Sequence, residues 1–131
     1  MRLRNVLVGM TCCMFSTVNA GEELPRELAG SGTVATGRTS VTLWSIAIES
    51  QNADGVITGK MNWHGRLCIA KDHPFTGSYR DRLLEFSAPE IDPKCGAWTA
   101  KLKQTSASEF AFEGSLSTTV GGTASVVLKP Q

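Results

Sequence analysis

The stretch VITGKMNW, residues 56–63, is the clearest strand signal in the chain and decides the fold class. Ile57, Met61 and Trp63 lie on one face of an extended chain, and Gly59 takes the remaining place on that face. An apolar residue at every second position is the pattern of a strand with one buried face. An amphipathic helix would instead repeat its apolar residues every three to four positions, so this segment predicts a β-strand.

A similar alternation continues through most of the chain and predicts an all-β fold. It recurs at 43–48, 75–79, 84–88, 98–102, 110–116 and 124–128, with weaker candidates at 32–37 and 66–70. Short turn signals lie between the segments, such as NADG at 52–55, RDR at 80–82 and VGG at 120–122. Because these connections are too short for a helical crossover, consecutive strands are expected to pair antiparallel. LPRELAG at 24–30 predicts one helical turn at most.

Three copies of a glycine motif favour a barrel over a flat sandwich. Gly59, Gly77 and Gly114 each lie between two large apolar residues of a predicted strand. A glycine on the inner face lets a strand bend sharply, or leaves room for the ring of a neighbouring side chain. The predicted fold is therefore a small antiparallel up-and-down β-barrel of seven or eight strands, with a sandwich as the alternative.

The first twenty residues have the features of a secretory signal peptide. Arg2 and Arg4 precede an apolar stretch at 6–18, and Val18-Asn19-Ala20 matches the small-residue pattern of a cleavage site. A lipid anchor is the less favoured alternative, because no small residue precedes Cys12. We therefore expect an exported protein, periplasmic or secreted, with a signal peptide at 1–20 and one barrel domain at 21–131.

The cysteines predict a disulfide, and the charges argue against nucleic-acid binding. Cys68 and Cys95 are the two cysteines that remain after signal cleavage, and in an oxidising compartment they are expected to form a disulfide. Lys and Arg number 13 and Asp and Glu 12, without a run of like charges in the mature chain. Nucleic-acid binding needs a basic face, so the composition argues against it. The apolar stretch at 6–18 is too short to span a membrane.

Three short motifs resemble those of avidin-like and lipocalin-like (calycin) barrels. They are DGVITGKMNW at 54–63, GAWTAKL at 96–102 and FEGSLS at 112–117. The resemblance implies an eight-stranded barrel and no particular ligand, because the polar residues that hold biotin in avidins cannot be mapped position by position onto this chain. Small barrels of this kind also occur among exported bacterial inhibitors of proteases and lysozymes.

The titratable residues do not form a pattern typical of an enzyme. His64 and His73 both fall in predicted turns, where they are expected to be solvated. Glu90 and Asp92 flank Ile91 in a predicted loop, and a glycosidase-type carboxylate pair is the weak alternative there. No nucleophile accompanies a base, and no metal-ligand spacing is present. We predict a non-enzymatic protein without a cofactor, a catalytic residue or a metal site.

Two binding functions remain. In the first, Trp44, Trp63, Tyr79 and Trp98, together with Arg66, line a pocket at the barrel mouth for a small apolar or ring-shaped ligand. In the alternative, the chain is an inhibitor or immunity-type protein that presents a loop, 70–75 or 88–96, to a partner enzyme. The partner is thus a small molecule or a protein, and the sequence does not predict an oligomeric state.

Overall fold

The protein folds as a closed barrel of eight antiparallel β-strands. The computed structural model describes residues 22–36, 38–65 and 68–131. Its strands are β1 Glu27–Thr36, β2 Arg38–Gln51, β3 Val56–His64, β4 Ile69–Arg80, β5 Leu83–Ala88, β6 Trp98–Gln104, β7 Phe112–Thr118 and β8 Gly122–Pro130. The predicted all-β, up-and-down barrel is confirmed, and the strand number is eight. The proposed signal peptide lies outside the described residues.

Pairing of the first strand with the last closes the barrel. β1 pairs with β8 from Leu28 opposite Pro130 to Thr33 opposite Ser125. Every other strand pairs with its neighbours in sequence. One end of the barrel, called the terminal end here, carries Glu22–Arg26 and the β2–β3, β4–β5 and β6–β7 connections. The opposite end, called the disulfide end, carries the β1–β2, β3–β4, β5–β6 and β7–β8 connections.

The strand alternation sends apolar side chains into the barrel. In β6 the pattern is strict, with Trp98, Ala100, Leu102 and Gln104 buried and the residues between them exposed. In β3 the inward positions 57, 59, 61 and 63 are buried as well, and the residues between them are half-buried. Burial of a large apolar side chain stabilises by about 1.5–3 kcal/mol, so this shared core is the main source of stability.

The motif glycines lie where two strands approach each other most closely. A Cβ atom at Gly59 would lie 2.0 Å from the backbone oxygen of Ala47 and 2.8 Å from the ring of Phe75. At Gly77 and at Gly114, a Cβ would again lie 2.0 Å from a backbone oxygen of the adjacent strand. No side chain fits at such distances. The structure therefore agrees with the prediction that these glycines allow tight coiling of the sheet.

The segment 24–30 is not helical, so that prediction is wrong. Residues 22–26 are irregular, and β1 begins at Glu27. The buried side chain of Leu24 covers the terminal end of the barrel, and its backbone N–H donates to Oε1 of Gln51 at 2.8 Å. One short segment gains more from this burial and from pairing with β2 and β8 than from a single helical turn.

The weak strand candidate at 32–37 is confirmed, whereas the candidate at 66–70 and the predicted loop at 70–75 need correction. The candidate at 32–37 is the second half of β1, which ends at Thr36. Of the candidate at 66–70, Ile69 and Ala70 are the first residues of β4, and residues 66–67 lie outside the described residues. Consequently 70–75 is part of β4 and not a loop that could be presented to an enzyme. The period-two pattern failed here because a β-bulge interrupts it between Ala70 and His73.

Candidate functional site

The three tryptophans form one cluster inside the disulfide half of the barrel. The ring centroids of Trp44 and Trp63 are 6.1 Å apart, and those of Trp63 and Trp98 are 5.8 Å apart. Both pairs pack edge to face, which is a favoured geometry for aromatic rings. All three side chains are between 2 and 7% exposed. They contact each other and the core.

The indole N–H groups of this cluster differ in their partners. Nε1 of Trp44 donates to the backbone oxygen of Val127 at 3.1 Å. Gly30 lies beside that oxygen, and a Cβ there would be 1.9 Å from it. Nε1 of Trp98 is buried and has no partner among the described atoms. Leaving such a donor unpaired costs roughly 1–3 kcal/mol.

Tyr79 does not join the tryptophans. It lies in the terminal half of the barrel, where its ring packs edge to face on Phe110 and Phe112. Its hydroxyl donates to Oε1 of Gln104 inside the core. Burial raises the pKa of Tyr79 above its usual value; nearby Glu22 raises it further and Arg82 lowers it. The hydroxyl therefore stays neutral at physiological pH.

The arrangement leaves little room for a ligand between these rings. A ligand-sized cavity would leave its lining side chains exposed, whereas Trp44, Trp63, Tyr79 and Trp98 are at most 7% exposed. The fifth residue of the predicted pocket, Arg66, lies outside the described residues. A ligand-binding role for this set stays a prediction, and the packed interior does not favour it.

The connection between β5 and β6 is the longest loop at the disulfide end. We call residues 89–97 the β5–β6 loop; it contains almost all of the segment 88–96 predicted from sequence. Its side chains from Pro89 to Lys94 are exposed. Ile91 at its centre is 61% exposed, although burial of a large apolar side chain stabilises a protein. Its neighbours Glu90 and Asp92 carry the only carboxylates of the loop.

Internal hydrogen bonds and the disulfide shape the second half of this loop. The backbone oxygen of Asp92 accepts from the N–H groups of Cys95 and Gly96 at 2.9 and 3.1 Å. Oδ1 of Asp92 accepts from the N–H of Lys94 at 2.9 Å. Cys95 then forms the predicted disulfide with Cys68, with 5.2 Å between the Cα atoms. These contacts fix the loop immediately after its exposed centre.

Two further contacts fasten the loop to the barrel at its start and at its end. Nε2 of His73 lies 2.7 Å from the backbone oxygen of Pro89. At the other side, Thr119 in the β7–β8 turn exchanges two hydrogen bonds with Ala97, both 3.0 Å long. His73 is only 5% exposed, so the prediction of a solvated turn residue is wrong. His64, in contrast, is exposed at the end of β3, as predicted.

Other exposed apolar side chains gather at the same end. Among the described residues, the four most exposed large apolar side chains are Leu43 at 71%, Ile91 and Val120 at 61% and Ile69 at 59%. Leu43 and Ile69 both pair with His64, one on each side, so they share the outer face of β2, β3 and β4. Val120 belongs to the turn beside Gly96. The backbone oxygen of Ile69 lies 3.9 Å from Sγ of Cys95, so Ile69 and Val120 both place exposed apolar surface beside the β5–β6 loop.

The terminal end carries a different feature. A polar cleft of about 290 Å³ lies between the segment 22–26 and the β2–β3 hairpin. Glu22, Glu23 and Glu49 line it together with Arg26, and Glu49 also forms an ion pair with Lys60 at 3.3 Å. Within the described part of the chain, no three His, Cys, Asp or Glu side chains are grouped to hold a metal ion. That same part contains no helix suited to crossing a membrane.

Comparison of the chain with protein-family models, with characterised proteins and with solved structures gave no match. The resemblance to avidins and lipocalins therefore stays a prediction. Because one fold serves many functions, a closed barrel by itself indicates neither a ligand nor an enzyme target.

Proposed function

We propose that the protein is an exported protein-binding module that uses the β5–β6 loop to engage a partner protein, as an inhibitor of an enzyme does. One observation carries the proposal: Ile91 is 61% exposed at the centre of a loop that is fastened on both sides of it. A loop with an exposed apolar tip is suited to enter a concave site on another protein, and clefts of that kind are where enzymes bind their substrates.

The fastening of the loop supports this function. Ordering a mobile loop upon binding costs free energy, and a loop that is already ordered avoids most of that cost. Here the disulfide, the His73–Pro89 hydrogen bond and the Thr119–Ala97 pair hold the loop before any partner arrives. Three separate restraints therefore act on this one connection.

The surrounding surface supports it as well. Exposed apolar patches on soluble proteins mark interaction sites more often than chance allows. The exposed side chains of Ile69 and Val120 belong to segments that lie beside the loop at Cys95 and Gly96 and add apolar surface next to it. The packed core argues in the same direction, because a barrel whose interior is filled with side chains must do its binding on the outside.

The test compares capture of proteins from the native host by three forms of the purified chain: the wild type, Ile91→Asp and Leu83→Asp. Leu83 is the matched control, since it is an apolar side chain, 42% exposed, at the terminal end. A protein retained by the wild type should be lost with Ile91→Asp and kept with Leu83→Asp. Central interface residues contribute about 2 kcal/mol or more, so affinity should fall by about 30-fold.

Two results would contradict the proposal. Equal retention by Ile91→Asp and by the wild type would show that the β5–β6 loop is not the contact. A small molecule released from the protein in a native mass spectrum, with no protein partner retained, would favour the pocket among the tryptophans. The inhibitor function itself is tested by adding the purified chain to the retained enzyme, whose activity should fall with the wild type and not with Ile91→Asp.

A further inference from the structure

A buried histidine lies beneath the proposed binding loop, and among the described residues its one hydrogen bond is to that loop. Among the described residues, only Thr42, His73 and Gln104 are buried polar side chains. Nε2 of His73 is 2.7 Å from the backbone oxygen of Pro89, the first residue of the loop. Since a carbonyl oxygen only accepts, Nε2 carries the proton and donates it.

A β-bulge is what turns His73 toward the inside. Met61 pairs with His73 and Trp63 pairs with Ala70, so one residue of β3 faces two residues of β4. Lys71 and Asp72 are both exposed, whereas strict alternation from Ala70 would place residue 72 inside and residue 73 outside. The extra residue shifts the phase and brings His73 under the loop.

This bulge has a conformational cost. Asp72 has a φ of 50°, a left-handed conformation that is rare for residues other than glycine. Its N–H donates to Oδ1 of Asn62 at 2.9 Å, which holds the bulge against β3. Strained backbone of this kind persists where the surrounding structure enforces it, and it is concentrated at functional sites.

We infer that His73 is a positioning residue for the proposed binding loop: its hydrogen bond to Pro89 fixes the start of the loop, and thereby the orientation of Ile91. The inference rests on the proposed function of that loop. The disulfide at Cys95 and the pair with Thr119 act after Ile91 in the chain, whereas His73 acts before it. Of the three restraints described above, the His73 bond is the one that acts on the loop before Ile91.

The test is the backbone motion of Ile91, measured by ¹⁵N relaxation in the full chain for three forms: the wild type, His73→Gln and His73→Leu. The Gln side chain reaches about as far as the ring and keeps an N–H donor, whereas Leu fills the space without one. The order parameter of Ile91 should stay at about 0.85 in the wild type and in His73→Gln, and fall below about 0.6 in His73→Leu. Asp54, in a hydrogen-bonded turn at the terminal end, is the internal control and should not change.

The outcomes separate this inference from the proposed function. An Ile91 that stays ordered in His73→Leu overturns the positioning role, even if Ile91→Asp still abolishes capture of the partner. Equal loss of order at Ile91 and Asp54 also overturns it, because the histidine would then support the whole barrel. If Ile91 becomes mobile only in His73→Leu, while Ile91→Asp captures the partner normally, the positioning role stands and the proposed function fails.

Discussion

At the scale of single residues, two of the three buried polar side chains of the described residues, His73 and Gln104, each hold a connection of the barrel. Oε1 of Gln104 accepts a hydrogen bond from the hydroxyl of Tyr79. Its amide Nε2 donates to the backbone oxygens of Ser106 and Glu109, both at 2.8 Å. The two ends of the barrel thus use the same device: Gln104 holds the β6–β7 loop, and His73 holds the β5–β6 loop. Buried polar groups are tolerated when they are hydrogen-bonded in this way.

The environment of Tyr79 predicts a specific loss of stability at alkaline pH. Burial raises the pKa of its hydroxyl above the unfolded value of 10.0, so the folded state favours the neutral form. The resulting stabilisation is fully present below pH 10 and is lost as the pH rises through the folded pKa. The free energy of unfolding, from urea titrations at several pH values, should fall more steeply above pH 10 for the wild type than for Tyr79→Phe. Parallel curves for the two proteins would contradict this assignment.

At the scale of secondary-structure elements, the strands coil because glycines let their backbones meet. The positions could be predicted from sequence, because Gly59, Gly77 and Gly114 interrupt otherwise bulky inner faces. A role for Gly30 could not be predicted from sequence, because that role depends on which strand pairs with β1 to close the barrel. Only the pairing of β1 with β8 brings Gly30 close to the backbone oxygen of Val127.

Adding one methyl group to β3 should therefore be costly. In Gly59→Ala the new Cβ would lie 2.0 Å from the backbone oxygen of Ala47, so β3 must move away from β2. Overpacking of this kind costs roughly 1–3 kcal/mol. The control is Gly121→Ala in the β7–β8 turn, where the nearest atom is the side-chain oxygen of Thr118 at 3.0 Å. Urea unfolding should show a large loss for the first variant and a small one for the second, whereas equal effects would contradict the role in coiling.

At the scale of the whole molecule, the sequence predicts the barrel better than the functional surface. The inward positions follow from period-two alternation, and the predicted turns at NADG, RDR and VGG are present, because both signals are local. The burial of His73 could not be predicted, since it depends on a bulge that shifts the phase of β4. The fastening of the β5–β6 loop could not be predicted either, because His73 and Pro89, like Ala97 and Thr119, are distant from each other in sequence and meet only in the folded barrel.

The disulfide joins the residue before β4 to the end of the β5–β6 loop, so it affects both the loop and the stability of the whole barrel. Cys68 and Cys95 are separated by 27 residues, and closing a loop of that length stabilises by about 3.5 kcal/mol in the chain-entropy model. The double variant Cys68→Ala/Cys95→Ala should keep its β-sheet circular dichroism, since all eight strands still pair, and should unfold at lower urea concentration. A reducing agent should destabilise the wild type and leave the double variant unchanged. If the wild type is insensitive to reduction, or loses less than about 1 kcal/mol in its free energy of unfolding, the paired strands hold the β3–β4 and β5–β6 connections without the crosslink.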